Sequence, residues 1–343
     1  MKRGLAALAF AVLAPVALAA PAQQQSGFRP IEVRTLPITA FQRGSSETTF
    51  GGLRFLGGFV MQSPDPAFGS WSGLDFEADG HTLVAIADTG EWLRATLIET
   101  GDRPVGLGDP KIGPMLGDNG EPPARKVVAD AEALRLVAGK GGTTAILSFE
   151  QNLAVRRFAG PDFAAARPTR LTLPKFVSGI RRNQGLEALA VAPAASPIAG
   201  AIVAIAERSL DANGNHRGFI LTGAKPGPFS VRRSDDFDIS DAVFLPGGDL
   251  LILERRFSFS AGFAMRIRRI AGATIHGGAL LDGPVLIEAD DRYEIDNMEG
   301  IAARTLPTGE TLLTLVSDDN HGFLQRSILL QFALPAAANR PAN

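Results

Sequence analysis

The segment Gly185-Leu186-Glu187-Ala188-Leu189, followed by Ile202-Val203-Ala204-Ile205-Ala206-Glu207, decides the fold because related segments recur along the chain. Each copy is a short apolar run that opens on a carboxylate, followed by a second run that closes on one. Short runs rich in Val, Ile, Leu and Phe, bounded by Gly, Pro, Asp or Asn, predict β-strands. The opening carboxylates recur at intervals of 54 to 58 residues: Asp75, Glu132, Glu187, Asp241 and Glu299.

A repeat near 55 residues predicts an all-β fold, a β-propeller with one four-stranded blade per repeat. About 320 mature residues give a little under six such units. We therefore prefer six blades, with five as the alternative. The sixth blade would combine N-terminal strands around residues 31–38 and 53–61 with a C-terminal strand at 327–334, because closing the ring removes exposed sheet edges. The propeller would be a single domain over 28–335, with a disordered tail at 336–343.

Composition excludes several classes of function. The 34 basic and 36 acidic residues leave a net charge of -2, so the chain lacks the basic surface that nucleic-acid binding requires. The absence of cysteine excludes disulfides, thiolate zinc sites and thiol nucleophiles. We expect a monomer that acts on a small molecule.

The first 25 residues have the pattern of a secretory signal peptide. Lys2 and Arg3 precede an apolar stretch, and Ala17-Leu18-Ala19 matches the small residues at a cleavage site. The apolar stretch is shorter than the roughly 20 residues that span a bilayer. We therefore predict a periplasmic or secreted protein that is not inserted in a membrane after cleavage.

The recurring carboxylates are the strongest indication of a functional site. The first strand of each blade lines the central channel of a propeller, so Asp75, Glu132, Glu187, Asp241 and Glu299 would converge there. Like charges at close range raise one another's pKa, and a divalent cation would relieve this conflict. Oxygen-only ligation favours calcium. The alternative is that the carboxylates join neighbouring blades by binding backbone N–H groups or arginines.

The closing carboxylates are each followed by an arginine at the start of a third strand. Opposite charges across a hairpin help to fix its register. The predicted pairs are Asp88 with Arg94, Glu150 with Arg156, Glu207 with Arg217, Glu254 with Arg266, and Asp318 with Arg326.

The chain resembles the phytase-like domain family, described as having esterase-like activity of phytase. The resemblance covers about residues 50–334. It rests on the segments Ser72-Gly73-Leu74-Asp75, Asp130-Ala131-Glu132-Ala133-Leu134, Gly185-Leu186-Glu187-Ala188-Leu189, Glu254-Arg255-Arg256-Phe257-Ser258, Asp296-Asn297-Met298-Glu299-Gly300-Ile301 and Ser317-Asp318-Asp319-Asn320. It implies a secreted propeller with phosphate-ester hydrolysis as the suggested activity.

These observations predict a calcium-dependent ester or phosphoester hydrolase. Arg208, Arg255 and Arg326 would hold the phosphate or the developing oxyanion, and Asp318 or His321 would handle the proton. A lactonase-like hydrolase would use the same cation to polarise a carbonyl. The alternative from another class is a non-catalytic propeller that binds a ligand or a protein at its channel mouth.

Overall fold

Strands make up almost all the regular structure of the computed structural model, which describes residues 27–124, 126–181 and 184–336. The predicted signal peptide and all but the first residue of the predicted tail lie outside the described residues. Within the described part, no helix reaches the length and apolarity needed to cross a membrane.

The strands are, in chain order, β1 (Arg29–Pro30), β2 (Arg34–Ile38), β3 (Thr49–Phe50), β4 (Leu53–Gln62), β5 (Trp71–Phe76), β6 (Thr82–Ala87), β7 (Glu91–Thr100), β8 (Arg103–Pro114), β9 (Ala131–Gly139), β10 (Gly142–Phe149), β11 (Ala154–Ala159), β12 (Thr169–Arg170), β13 (Leu186–Val191), β14 (Ile202–Leu210), β15 (His216–Ile220), β16 (Gly227–Val231), β17 (Asp238–Phe244), β18 (Leu250–Ser258), β19 (Gly262–Ile270), β20 (Leu280–Leu281), β21 (Val285–Ala289), β22 (Asn297–Thr305), β23 (Thr311–Asp318) and β24 (Ser327–Leu334). One α-helical turn, α1 (Lys126–Ala129), precedes β9, and short 3₁₀ turns cover Phe163–Ala165 and Gly272–Thr274.

These strands form five sheets, which are the five blades of a propeller. Blade 1 is built from β5 to β8 with β1 at its edge, and blade 2 from β9 to β12. Blade 3 is built from β13 to β16 with β20, and blade 4 from β17, β18, β19 and β21. Blade 5 has the order β22, β23, β24, β4, β2, with β3 paired to β4. The inner strands β5, β9, β13, β17 and β22 contact one another in a ring.

The preference for six blades was wrong. The segments predicted to form a sixth blade, β2, β4 and β24, belong to blade 5, where β4 pairs antiparallel with β24. The last repeat supplies only β22, β23 and β24, so its sheet lacks a fourth strand, and β4 occupies that edge. Division of the chain length by the repeat length counted these N-terminal strands as a blade of their own.

The hydrophobic core lies between blades rather than at a single centre. Five apolar clusters fill the five spaces between successive blades. Between blades 1 and 2, Trp92 packs edge to face against Phe158 and Phe163, with ring centroids 5.4 and 5.5 Å away. Because a blade is covered on both faces, its strands are apolar at consecutive positions, which explains the uninterrupted Val, Ile and Leu runs.

Candidate functional site

Each inner strand carries a β-bulge near its start. At one position in every inner strand the pairing with the second strand skips a residue, which is thereby left unpaired. The bulged residues are Ser72, Glu132, Glu187, Ser240 and Glu299. These five residues are structurally equivalent, and three of them are glutamates.

The predicted ring of five carboxylates was therefore wrong at two positions. Asp241 lies one residue after the bulge of its strand, and Asp75 lies three residues after its own. The sequence repeat placed them one to three residues out of register, because it aligned acidic residues with one another and the equivalent residues of these two strands are not acidic. Ser240 and Ser72 occupy the equivalent positions instead.

Asp241 and Asp75 join blades through hydrogen bonds. The carboxylate of Asp241, fully buried, accepts bonds from Arg135 Nη2 at 2.7 Å and from the Ile301 N–H of blade 5 at 2.9 Å. Asp75 accepts a bond from the Leu136 N–H of blade 2 at 2.8 Å. Arg135 of blade 2 also bonds the Ala242 carbonyl of blade 4 at 2.5 Å. For these two carboxylates, the alternative of links between blades describes the observed contacts.

A second set of equivalent side chains lies where each second strand passes the bulge. In each blade, one residue of the second strand pairs with the inner-strand residue that precedes the bulge. The next residue along the second strand belongs to this set: Asp88, Glu150, Glu207, Arg255 and Asp318. Blade 4 therefore carries an arginine where the other four carry a carboxylate. The sequence repeat aligned Glu254 with these carboxylates, one residue out of register.

The bulge glutamates and the five strand-end residues line one cavity of about 780 Å³. Its other polar side chains are Lys126, Asp130, Gln151, Arg208, Asn297, Asn320 and Gln325. Eight carboxylates and three cationic side chains line it: Asp88, Asp130, Glu132, Glu150, Glu187, Glu207, Glu299 and Asp318 with Lys126, Arg208 and Arg255. The site is thus strongly acidic.

Arg255, which belongs to blade 4, neutralises part of this negative charge. Its Nε lies 3.0 Å from Glu299 Oε2 on blade 5, and its Nη2 lies 3.1 Å from Glu207 Oε1 on blade 3. Burial alone would lower the pKa of Arg255, but the carboxylates of Glu299, Glu207 and Glu187 raise it above its ordinary value. Arg255 is therefore a fixed cation that joins blades 3, 4 and 5.

Burial and mutual repulsion raise the pKa values of the cavity carboxylates. Burial, together with neighbouring acids, raises the pKa values of Glu132 and Glu187 well above the ordinary range. Burial raises the pKa of Glu299 to about 8, against the opposing effect of Arg255. Burial and the charge of Asp88 raise the pKa of Asp318 to about 7 and that of Asp130 to about 6. The protein alone does not compensate these charges.

The geometry of the carboxylates suits a cation. Oxygens of Asp130, Glu132 and Glu150 all lie within 4.8 Å of one another, and so do oxygens of Glu150, Glu187 and Glu207. Two further oxygens lining the cavity, Asn297 Oδ1 and Asp88 Oδ1, are buried without a hydrogen-bond partner among the described residues. Buried polar atoms are almost always partnered by protein or water, so these two oxygens are free to bind water or a cation.

Of the residues predicted for catalysis, Asp318, Arg208 and Arg255 line the cavity. Arg208 bonds Asp238 at 2.8 Å and keeps most of its side chain exposed. Arg326 instead pairs with Glu294 at 2.9 Å and Asp296 at 3.5 Å, away from the cavity lining. His321 is exposed and is not part of the cavity lining.

Four of the five predicted hairpin pairs were wrong. Arg266 does bond Glu254, at 2.6 Å. The other four arginines turn to different partners: Arg94 to Glu77, Arg156 to Asp118, Arg217 to Ser209 and Ser178, and Arg326 to Glu294. The carboxylates Asp88, Glu150, Glu207 and Asp318 point into the cavity instead, and the repeat itself was the signal that could have placed them there.

Comparison with known proteins gives one family and a set of distant structural matches. The family model described as phytase-like, esterase-like activity of phytase, matches residues 66–321. No curated protein sequence matches. Solved structures that match include the α-L-arabinofuranosidase PaAbf62A from Podospora anserina, with 11% identity, a TM-score of 0.49, and 90% of this chain and 98% of that chain covered. A gluconolactonase from Xanthomonas campestris matches with 12% identity, a TM-score of 0.42, and 90% and 99% coverage. Since the family model spans most of the sequence, the chain belongs to the phytase-like family.

Proposed function

We propose that this protein is a calcium-dependent hydrolase of ester or phosphoester bonds and that the acidic cavity is its active site. The observation that carries the proposal is that two clusters of three carboxylates share Glu150, and within each cluster the carboxylate oxygens lie within 4.8 Å of one another. Ligation by oxygen alone favours calcium over zinc or copper. A bound calcium ion would act there as a Lewis acid toward an ester or phosphoester oxygen.

The residues proposed to hold the cation are Asp130, Glu132, Glu150, Glu187 and Glu207. They come from blades 2 and 3, whose inner strands are adjacent. Glu132 and Glu187 are held by the bulges of β9 and β13, and Glu150 and Glu207 lie beside them on the second strands. The paired backbone thus brings these side chains together before a ligand arrives, which limits the entropy lost on binding.

Two arginines, on blades 3 and 4, supply hydrogen-bond donors to the cavity. Arg255 uses Nε and Nη2 for Glu299 and Glu207, so its Nη1 can donate to a substrate oxygen. Arg208, on β14 of blade 3, lines the same cavity with an exposed guanidinium. Donors fixed in this way favour a developing negative charge more than the ground state. Asp318, on blade 5, would take or give the proton through its carboxyl oxygens.

Two measurements test the proposal. Thermal unfolding with calcium and with EDTA tests the cation site, and a panel of aryl phosphates, aryl esters and lactones tests hydrolysis. We expect calcium to raise the melting temperature and EDTA to abolish turnover. Glu187→Gln should lose both the calcium-induced rise in melting temperature and the turnover. Glu288→Gln, a change at an exposed carboxylate of β21, should keep both.

The outcomes separate the candidate functions. Turnover that is insensitive to EDTA, or full activity in Glu187→Gln, would refute the mechanism. Calcium binding without turnover of any substrate would instead support a non-catalytic ligand-binding propeller. Preferential turnover of lactones would support the lactonase-like variant. Export through the N-terminal signal and a monomeric state stay predictions.

A further inference from the structure

Three apolar side chains form a wall of the acidic cavity next to blades 4 and 5. Phe257, Phe263 and Leu324 line it together with the carboxylates. Phe257 is 51% exposed and Leu324 is 81% exposed. Large apolar side chains in a concave site, beside a few convergent polar groups, are typical of the part of a pocket that holds the apolar portion of a ligand.

The local backbone explains how this wall is built. β18 continues three residues past Arg255, to Ser258, and β19 begins at Gly262. Side chains two residues apart on a strand share a face, so Phe257 lies on the same face as Arg255. Phe263 pairs with Phe257 across the hairpin, and their ring centroids are 4.8 Å apart. The β18–β19 hairpin therefore carries an aromatic pair that extends from Arg255 outward along the cavity.

The charges of the cavity argue against a substrate with many phosphates. Its three cationic side chains are all within ion-pairing distance of carboxylates: Lys126 with Asp88 at 2.6 Å, Arg208 with Asp238 at 2.8 Å, and Arg255 with Glu299 at 3.0 Å. Eight carboxylates share the same cavity. Even with one calcium ion bound, the ionised carboxylates of the cavity outnumber its positive charges. A polyanion would therefore meet a net negative site, and like charges brought together cost several kcal/mol.

We propose that the substrate of this site is an ester of a single acidic or acyl group with an aromatic or other bulky apolar group, and that Phe257, Phe263 and Leu324 hold the apolar part. This inference rests on the proposed function for the position of the reacting bond. It assigns the apolar wall a role in substrate choice and excludes polyphosphorylated compounds as preferred substrates.

Binding of two non-hydrolysable probes tests the assignment without any turnover. With calcium at saturation, calorimetry would compare phenylphosphonate with methylphosphonate, which differ only in the apolar group. We expect phenylphosphonate to bind at least about tenfold more tightly, because burial of an aromatic ring contributes more than the 1.4 kcal/mol that a factor of ten represents. Inositol hexakisphosphate, with calcium in excess of the amount it chelates, should bind no more tightly than phenylphosphonate.

Variants test which side chains cause the preference for phenylphosphonate over methylphosphonate. Phe257→Ser should reduce the ratio of the two affinities toward one, and Leu324→Ser should reduce it in part. Phe259→Ser is the matched control, because Phe259 is fully exposed at the hairpin tip and does not line the cavity. Its ring packs edge to face on Phe257 at 5.4 Å, so Phe259→Ser should change the ratio less than Phe257→Ser does. Both Phe257 and Phe259 are exposed enough for the serine variants to fold, and unfolding curves would verify this.

Equal affinities for the two phosphonates, absence of binding by both, or tightest binding by inositol hexakisphosphate would overturn the inference. A preference that Phe259→Ser abolishes and Phe257→Ser leaves intact would overturn it as well. The outcome is separable from the proposed function. Selective binding of phenylphosphonate without hydrolysis of any ester would refute the hydrolase alone, and equal kcat/KM for aryl and methyl esters would refute the apolar subsite alone.

Discussion

Replacement of Arg255 by glutamine should change the stability of the protein and its calcium affinity in opposite directions. The guanidinium of Arg255 is the cation that blade 4 inserts among the carboxylates of the other blades. It lies 3.0 Å from Glu299 and 3.1 Å from Glu207, and its side chain is 22% exposed. Arg255→Gln removes the charge and keeps much of the length.

The magnitude follows from the two ion pairs. At a pH above 8, where Glu299 (pKa about 8) is ionised, each pair at about 3 Å contributes roughly 5 kcal/mol of Coulomb energy at an effective dielectric constant of about 20, before desolvation is subtracted. Removal of one partner of a buried pair costs about 3–5 kcal/mol, because the remaining charge stays buried without compensation. We expect metal-free Arg255→Gln to lose about this much free energy of unfolding.

The calcium response should move the other way. Without Arg255, Glu207 and Glu299 add uncompensated negative charge to the cavity, so the cation is attracted more strongly. Stabilisation by a ligand grows with its concentration divided by its Kd, so the rise in melting temperature on calcium addition should be larger in the variant than in the wild type. Urea unfolding with EDTA and calorimetric titration with calcium would measure the two effects.

Arg94→Gln is the matched control for this experiment. Arg94 bonds Glu77 at 2.7 Å on the outside of blade 1, and its side chain is 40% exposed. An exposed pair contributes at most about 1 kcal/mol, so this variant should lose little stability and keep the wild-type calcium affinity. The reasoning is refuted if Arg255→Gln binds calcium with unchanged or lower affinity.

Three further predictions concern the carboxylates and the packing of the blades. In EDTA, the free energy of unfolding should fall as the pH rises from about 6.5 to about 8, because the folded protein keeps protons on Asp318 and Glu299 (pKa about 7 and about 8) that the unfolded chain has already released. Calcium should make this pH dependence weaker. A free energy of unfolding that rises over the same range would contradict the assignment. Glu254→Gln should cost about 3–5 kcal/mol in urea unfolding without altering calcium affinity, since fully buried Glu254 accepts bonds from Arg266 and Arg268 and does not line the cavity. Gly300→Ala should lower stability by about 1–3 kcal/mol, because the added Cβ would lie 2.8 Å from Leu74 Cδ2 of blade 1. If the variant unfolds at the same urea concentration as the wild type, the inner strands can separate at this position.

The candidate site was predictable in part. Glu132, Glu187, Glu299, Asp318, Arg208 and Arg255 were all identified from the sequence, and the structure brings them together in one cavity. Asp75 and Asp241 were misplaced because the acidic residues of their strands were aligned with the glutamates, whereas the bulged residues of those strands are Ser72 and Ser240. Arg326 and His321 were misplaced because their closeness to Asp318 in the chain does not determine the direction of their side chains.

The sequence by itself determined the strands, the repeat and the family, because apolar runs with regular spacing are local properties of the chain. The number of blades depended on tertiary structure, since β4 is distant in sequence from β24 and pairs with it only when the ring is assembled. The identity of the equivalent positions also depended on it. Ser72, Ser240 and Arg255 break the pattern of carboxylates, and only backbone pairing shows that Arg255 occupies the place of a carboxylate among them. Its two ion pairs join residues 44 and 48 positions apart, a separation that sequence spacing does not convert into contact.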